Sequence, residues 1–141
     1  MYNQIKILDL IPGAELDGVV HDQWIVTEID GAKVYLFDQD ALCSINLVGK
    51  TVGMVIDVMP IEVQEHPCEY IGFMDERRFV GKIIECIKTT DGFNSLIDIN
   101  GFQVNLSWSY CYSSSSCVKV RDRMDLVEIE SDKQTGWKTV G

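Results

Sequence analysis

The sequence predicts an all-β protein made of two tandem, related small β-barrels with few or no helices. Three observations carry this reading. Asp30-Gly31 and Asn100-Gly101 each separate two strand-like runs, the strongest short-range signal for a tight β-hairpin. Two-residue alternation of apolar and polar side chains recurs along the chain, while helical periodicity is weak. The runs EIDGAKVYL at 28–36 and DINGFQVNL at 98–106 align at a constant offset of 70, with Ile29, Gly31, Val34 and Leu36 meeting Ile99, Gly101, Val104 and Leu106.

Taken in order, residues 1–13 form an N-terminal arm that is compatible with helix or strand. Residues 14–59 form the first unit. Trp24 to Ile29 and Lys33 to Phe37 are its hairpin. Asp38-Gln39-Asp40 can cap a short turn through Ala41, Leu42 and Ile45. Val52, Met54, Ile56 and Val58 alternate and predict a strand at about 51–59. Residues 60–76, with Pro60 and Pro67, read as an acidic connector carrying one short strand near Tyr70 to Phe73.

The second unit covers residues 77–130. Val80 to Ile87 is a strand, and Leu96 to Ile99 with Phe102 onward is the second hairpin. From there Phe102, Val104, Leu106, Trp108, Tyr110 and Tyr112 share one face. A polar loop at Ser113 to Ser116 leads to strands at Val118 to Val120 and Met124 to Ile129, and 131–141 is a flexible tail. Further matches pair Val48 with Val118, Met54 with Met124 and Ile56 with Leu126. Upstream, Leu16-Asp17-Gly18 faces Phe79-Val80-Gly81 at an offset of 63. The seven extra residues fit within the loop-like Thr89 to Ser95. Because the matches pass well beyond the turns, duplication is favoured over two unrelated hairpins.

The order of elements resembles the small five-stranded barrels of the OB-fold class, especially the RNA-binding repeats of ribosomal-protein type. The phrases that carry it are Val48-Gly49-Lys50-Thr51-Val52 with Met54 to Val58, and Val118-Lys119-Val120-Arg121-Asp122-Arg123 with Met124 to Glu130. The resemblance implies two OB-like barrels over about residues 14–130. The first hairpin departs from the RNA-binding pattern, having no basic residue beyond Lys33. The resemblance therefore speaks to fold, which does not fix function.

The 46% apolar and 24% charged residues are those of a globular chain. No run reaches the ~18 apolar residues that cross a bilayer, and the start lacks the basic flank of a secretory signal. Cys43, Cys68, Cys86, Cys111 and Cys117 are odd in number and irregular in spacing. They read as reduced thiols in a cytoplasmic protein. Charge is uneven. Residues 1–76 carry 14 acidic residues against three lysines, a formal −11, and residues 77–141 carry nine basic against eight acidic, +1. A polyanion is repelled by the first half and admitted by the second.

Catalytic signals are weak. Asp38 and Asp40 read as a solvated cap before a cation site. His66, Cys68, Cys111 and Cys117 lack zinc-site spacing, and neither His21 nor His66 sits in a nucleophile's signature. Gly49-Lys50-Thr51 lacks the upstream glycine of a phosphate loop. No metal or cofactor is expected. The most suggestive cluster joins Trp108, Tyr110 and Tyr112 to Lys119, Arg121 and Arg123, because aromatics stack bases and basic groups meet phosphates. The competing reading, which is favoured, makes the aromatic row the inward face of a barrel. The three basic residues alternate along one strand, with Arg77, Arg78 and Lys82 able to join them. The expected protein is a non-enzymatic binding module contacting a protein partner, with single-stranded nucleic-acid binding through the second half as the alternative.

Overall fold

In a computed structural model, residues 2–130 are described, and the tail expected at 131–141 lies outside them. Twelve strands follow in order: β1 (Asn3–Lys6), β2 (Asp9–Pro12), β3 (Glu15–Leu16), β4 (Val19–Val20), β5 (Gln23–Ile29), β6 (Ala32–Asp38), β7 (Thr51–His66), β8 (Gly72–Asp75), β9 (Arg78–Thr89), β10 (Gly92–Ile99), β11 (Phe102–Trp108) and β12 (Cys117–Ile129). Among the described residues one 3-10 turn, Ile45–Leu47, precedes β7. The all-β expectation holds. Among the described residues no helix is long and apolar enough to cross a membrane.

Both predicted hairpins form. Asp30 and Gly31 have φ of 54° and 81°, Asn100 and Gly101 of 52° and 98°. These paired left-handed residues make the two-residue turn whose twist matches its strands. The hairpin tips meet: Asn100 Nδ2 donates to Asp30 Oδ2 at 2.9 Å and to the Ile71 carbonyl at 2.8 Å.

The strands of both halves interleave. β7 runs antiparallel to β12 along almost its whole length, β12 lies parallel to β6, and β11 lies parallel to β7. Leu36 lies opposite Met124, Leu106 opposite Val58, and Val58 opposite Met124. Each half thus lends its last strand to the other half's hairpin. The pairings β7–β11–β10–β9–β12 return to β7. A single apolar cluster fills the interior, drawing Ile25, Leu36 and Ile56 from the first half and Phe79, Ile97 and Leu106 from the second. The halves share one core.

Several sequence expectations change. The strand expected at 51–59 continues to His66, so much of the 60–76 connector is strand. Pro60 is accommodated because the β7–β12 register slips there: Arg121 faces Glu62 and Asp122 faces Pro60, leaving Ile61 as a bulge. The N-terminal arm is strand. Asn3 clamps it to β11, donating to the Gln103 carbonyl and accepting from the Gln103 N–H, each at 2.7 Å. The register places Val58, rather than Met54, in the place corresponding to Met124. Leu16 lies in the separate β3–β4 pair, whereas Phe79 to Gly81 pair with β12, so that upstream match does not hold. The Asp38 cap is buried, not solvated. Its carboxylate accepts from Leu42 N, Cys43 N and Gln23 Nε2 at 2.8–2.9 Å.

The thiol expectation is also corrected. Cys68 is bonded to Cys117 and Cys86 to Cys111, leaving Cys43 free and buried. Spacing could not show this, because strand pairing brings residues 49 and 25 positions apart together. The cysteine pattern then carries no argument for a cytoplasmic location. Burial, with the charge of Asp38 beside it, pushes the Cys43 thiol up to about 12. In denaturant without reductant, thiol titration is expected to find one reactive group, and five after reduction. Five before reduction would return all the cysteines to the thiol form.

Candidate functional site

β12 lies between β7 and β9 at its start, so its outward side chains meet those of both neighbours. Arg121 faces Glu62 of β7 and Arg78 of β9. Lys119, two residues earlier, projects from the same side. The β8–β9 turn, Asp75 to Arg78, folds over this surface, and the beginning of β6 closes it. The result is an open cleft of about 730 Å³ lined by Lys33, Arg77, Arg78, Lys119 and Arg121, with Glu62, Asp75 and Glu76 and an apolar patch at Phe73 and Met74. Five of the chain's twelve lysines and arginines therefore line one cleft of a protein of formal charge −10.

Within the cleft the charges are only partly paired. Arg78 bridges Asp75 at 2.6 Å, and Asp75 also accepts from the Arg77 backbone N–H at 2.9 Å. The Arg78 hydrogen bond and the backbone bond hold the Asp75 carboxyl below the usual carboxylate range. This is an exposed pair, worth little to stability. It fixes the turn that carries Arg77 and Arg78.

The predicted basic trio divides. Lys119 and Arg121 line the cleft, and Arg77 and Arg78 join them. Lys82 does not line it, and Arg123 turns away. Its guanidinium makes two hydrogen bonds to Asp125, at 2.7 and 3.0 Å, and lies 4.8 Å from the centroid of the Phe37 ring. Asp125 holds the Arg123 pKa above its ordinary value. The parallel β6–β12 pairing draws Arg123 across to the first hairpin.

The aromatic row also divides. Phe102, Val104 and Leu106 are buried as expected, but β11 ends at Trp108. Trp108 and Tyr112 pack half-buried against the core edge, while Tyr110 is 59% exposed. The Tyr110 and Tyr112 rings meet edge to face at 4.7 Å. The inward-face reading therefore stops at Trp108, and none of the three aromatics lines the basic cleft. Lys33, Glu62 and Asp75 were missed as site residues, since only the strand register brings them there.

The zinc set considered from sequence is not assembled, because Cys68, Cys111 and Cys117 are in disulfides. Comparison with family models, curated proteins and solved structures found no match.

Proposed function

We propose that the protein is a non-enzymatic binding module that holds an acidic segment of a protein partner in the basic cleft. The observation that carries this is the convergence of five cationic side chains on one concavity of an otherwise acidic protein. Such a field attracts carboxylates locally while the rest of the surface repels polyanions. Phe73 and Met74 add apolar contact for a peptide. The nucleic-acid alternative needs stacking aromatics beside the cations. Here Trp108, Tyr110 and Tyr112 lie elsewhere, and the one aromatic of the cleft, Phe73, is half-buried with its ring packed against Phe79 and Phe102, which favours a peptide.

The architecture supports reading the chain as two copies of one OB-like unit that exchange last strands and close into a barrel. The reciprocal pairings Leu36–Met124 and Leu106–Val58 motivate this. On this reading the exchange places Lys33 of the first copy in a cleft built mainly by the second.

Fluorescence anisotropy with a labelled glutamate-rich peptide at low salt tests the function. Saturable, salt-sensitive binding is expected, and K119E with R121E should weaken it by roughly tenfold or more. Tighter binding of single-stranded RNA or DNA, lost in the same variant, would replace the peptide reading with the nucleic-acid one. No binding of either at low salt would remove the cleft as a site.

A further inference from the structure

A second cleft, of about 280 Å³, opens where β12 changes neighbours. β12 pairs with β9 up to Arg121 and with β6 from Met124, so Asp122 lies at the seam between them. There its N–H donates to the Arg77 carbonyl at 2.9 Å. Trp24 of β5 and Tyr35 of β6 form one wall, Ile11 and Met124 add apolar surface, and Glu76, Arg77 and Arg123 stand around it. Asp122 also lines the cleft and is only 3% exposed. Its Oδ2 is fully buried and has no hydrogen-bond partner among the described residues.

Asp122 interrupts a buried row on β12, formed by Val118, Val120, Met124 and Leu126. The register that sets Val58 against Met124 gives Ile56 of β7 the corresponding place, so the architecture accepts a hydrocarbon there. A buried, unsatisfied carboxyl oxygen costs about 1–3 kcal/mol. A carboxyl that bears this cost in a residue lining a cleft with aromatic walls points to a binding site.

We propose that this cleft binds a small organic cation with an aromatic or apolar body. Its ammonium or amidinium group donates to the Asp122 carboxyl, and its body lies against Trp24 and Tyr35. Aromatic faces attract such cations. The fixed positive charge of Arg123 is already paired with Asp125, Glu76 stands with Arg77 at the opening, and Ile11, Trp24 and Met124 contribute no charge. Burial pushes the Asp122 carboxyl up to about 8; Arg77 opposes this, and the charges of Asp125 and Asp75 add to it. A cation bound there favours the carboxylate, so binding near neutral pH releases close to one proton.

Benzamidine is a suitable probe, followed by NMR of the Trp24 indole N–H and the Met124 methyl, with benzyl alcohol as the neutral analogue. Saturable shifts at both signals are expected. Asp122→Asn should weaken binding roughly tenfold or more and abolish the proton release seen by calorimetry in different buffers. Trp24→Leu, on a half-buried wall, should weaken binding while preserving proton release. The proposal is overturned by benzyl alcohol binding as tightly, by unchanged affinity in Asp122→Asn, or by no shift at millimolar benzamidine. K119E and R121E leave this cleft intact, so its fate is separable from that of the basic cleft.

Discussion

Asp122→Asn is expected to stabilise the protein by several kcal/mol at pH 9 and to change it little near pH 4. The carboxyl is buried and unpaired, so burial is the largest influence on it. Arg77 opposes that effect, while Asp125 and Asp75 add to it. Its folded-state pKa is raised to about 8, above the ordinary value of the unfolded chain. Between about pH 4 and pH 8 the folded state therefore holds a proton that the unfolded state has already given up. Stability from this group is full below the unfolded value and is lost as pH rises through the folded one. About 4 pK units at ~1.4 kcal/mol each give an effect of about 6 kcal/mol, an order-of-magnitude figure. Asparagine does not titrate, so the variant lacks this slope. Urea unfolding of both proteins at pH 5, 7 and 9 measures the difference. Parallel pH profiles would show that Asp122 is ionised in the folded state throughout.

Phe79→Ala should cost about 3–5 kcal/mol, the usual result of emptying a large buried aromatic position. Phe79 is fully buried on β9, paired with Val120 of β12 and Phe73 of β8, and its ring lies 6.1 Å from that of Phe73. It thus joins three strands at the wall between the basic cleft and the core. Domains of this size are stable by roughly 5–15 kcal/mol in total, so a fall in melting temperature of roughly 10–20 °C is expected. Val127→Ala, at an exposed position of β12, should stay within about 0.5 kcal/mol. Calorimetry of the two variants beside the parent is the check. Similar small losses in both would mean that Phe79 is not a keystone of the core.

The hairpins were legible because their turn chemistry is local: Asp-Gly and Asn-Gly demand left-handed backbone, and nothing distant is needed to see it. The inward rows were legible too, since Phe102, Val104 and Leu106 alternate as a half-buried strand must. Pro60 misled, because a proline argues against a strand interior unless the partner supplies a slip in register, and that slip belongs to the pairing with β12. The basic cleft was half legible. Lys119 and Arg121 alternate on one strand and so can be read together, but Arg77 and Arg78 join them through the β9–β12 pairing, and Lys33 through the parallel contact of β6 with β12. In the sequence Asp122 is only the residue between two arginines, on the opposite face of their strand. Its importance comes from what it faces, which one strand alone does not reveal. The disulfides were hidden for the same reason.

The pairings of β7 with β11 and of β12 with β6 also set the timing of folding during synthesis. β6 and β7 are complete once residue 66 has been made, yet the strand that covers both does not finish until Ile129. Asn3 waits a hundred residues for its partner, Gln103. Until then a nascent chain displays two strand edges and much of an apolar interior, the features that promote association between chains. Long-range pairing of this kind also slows the search itself. A ribosome thus carries an open half-structure through more than sixty further codons, and the pairing of β7 with β12 waits for the last of them.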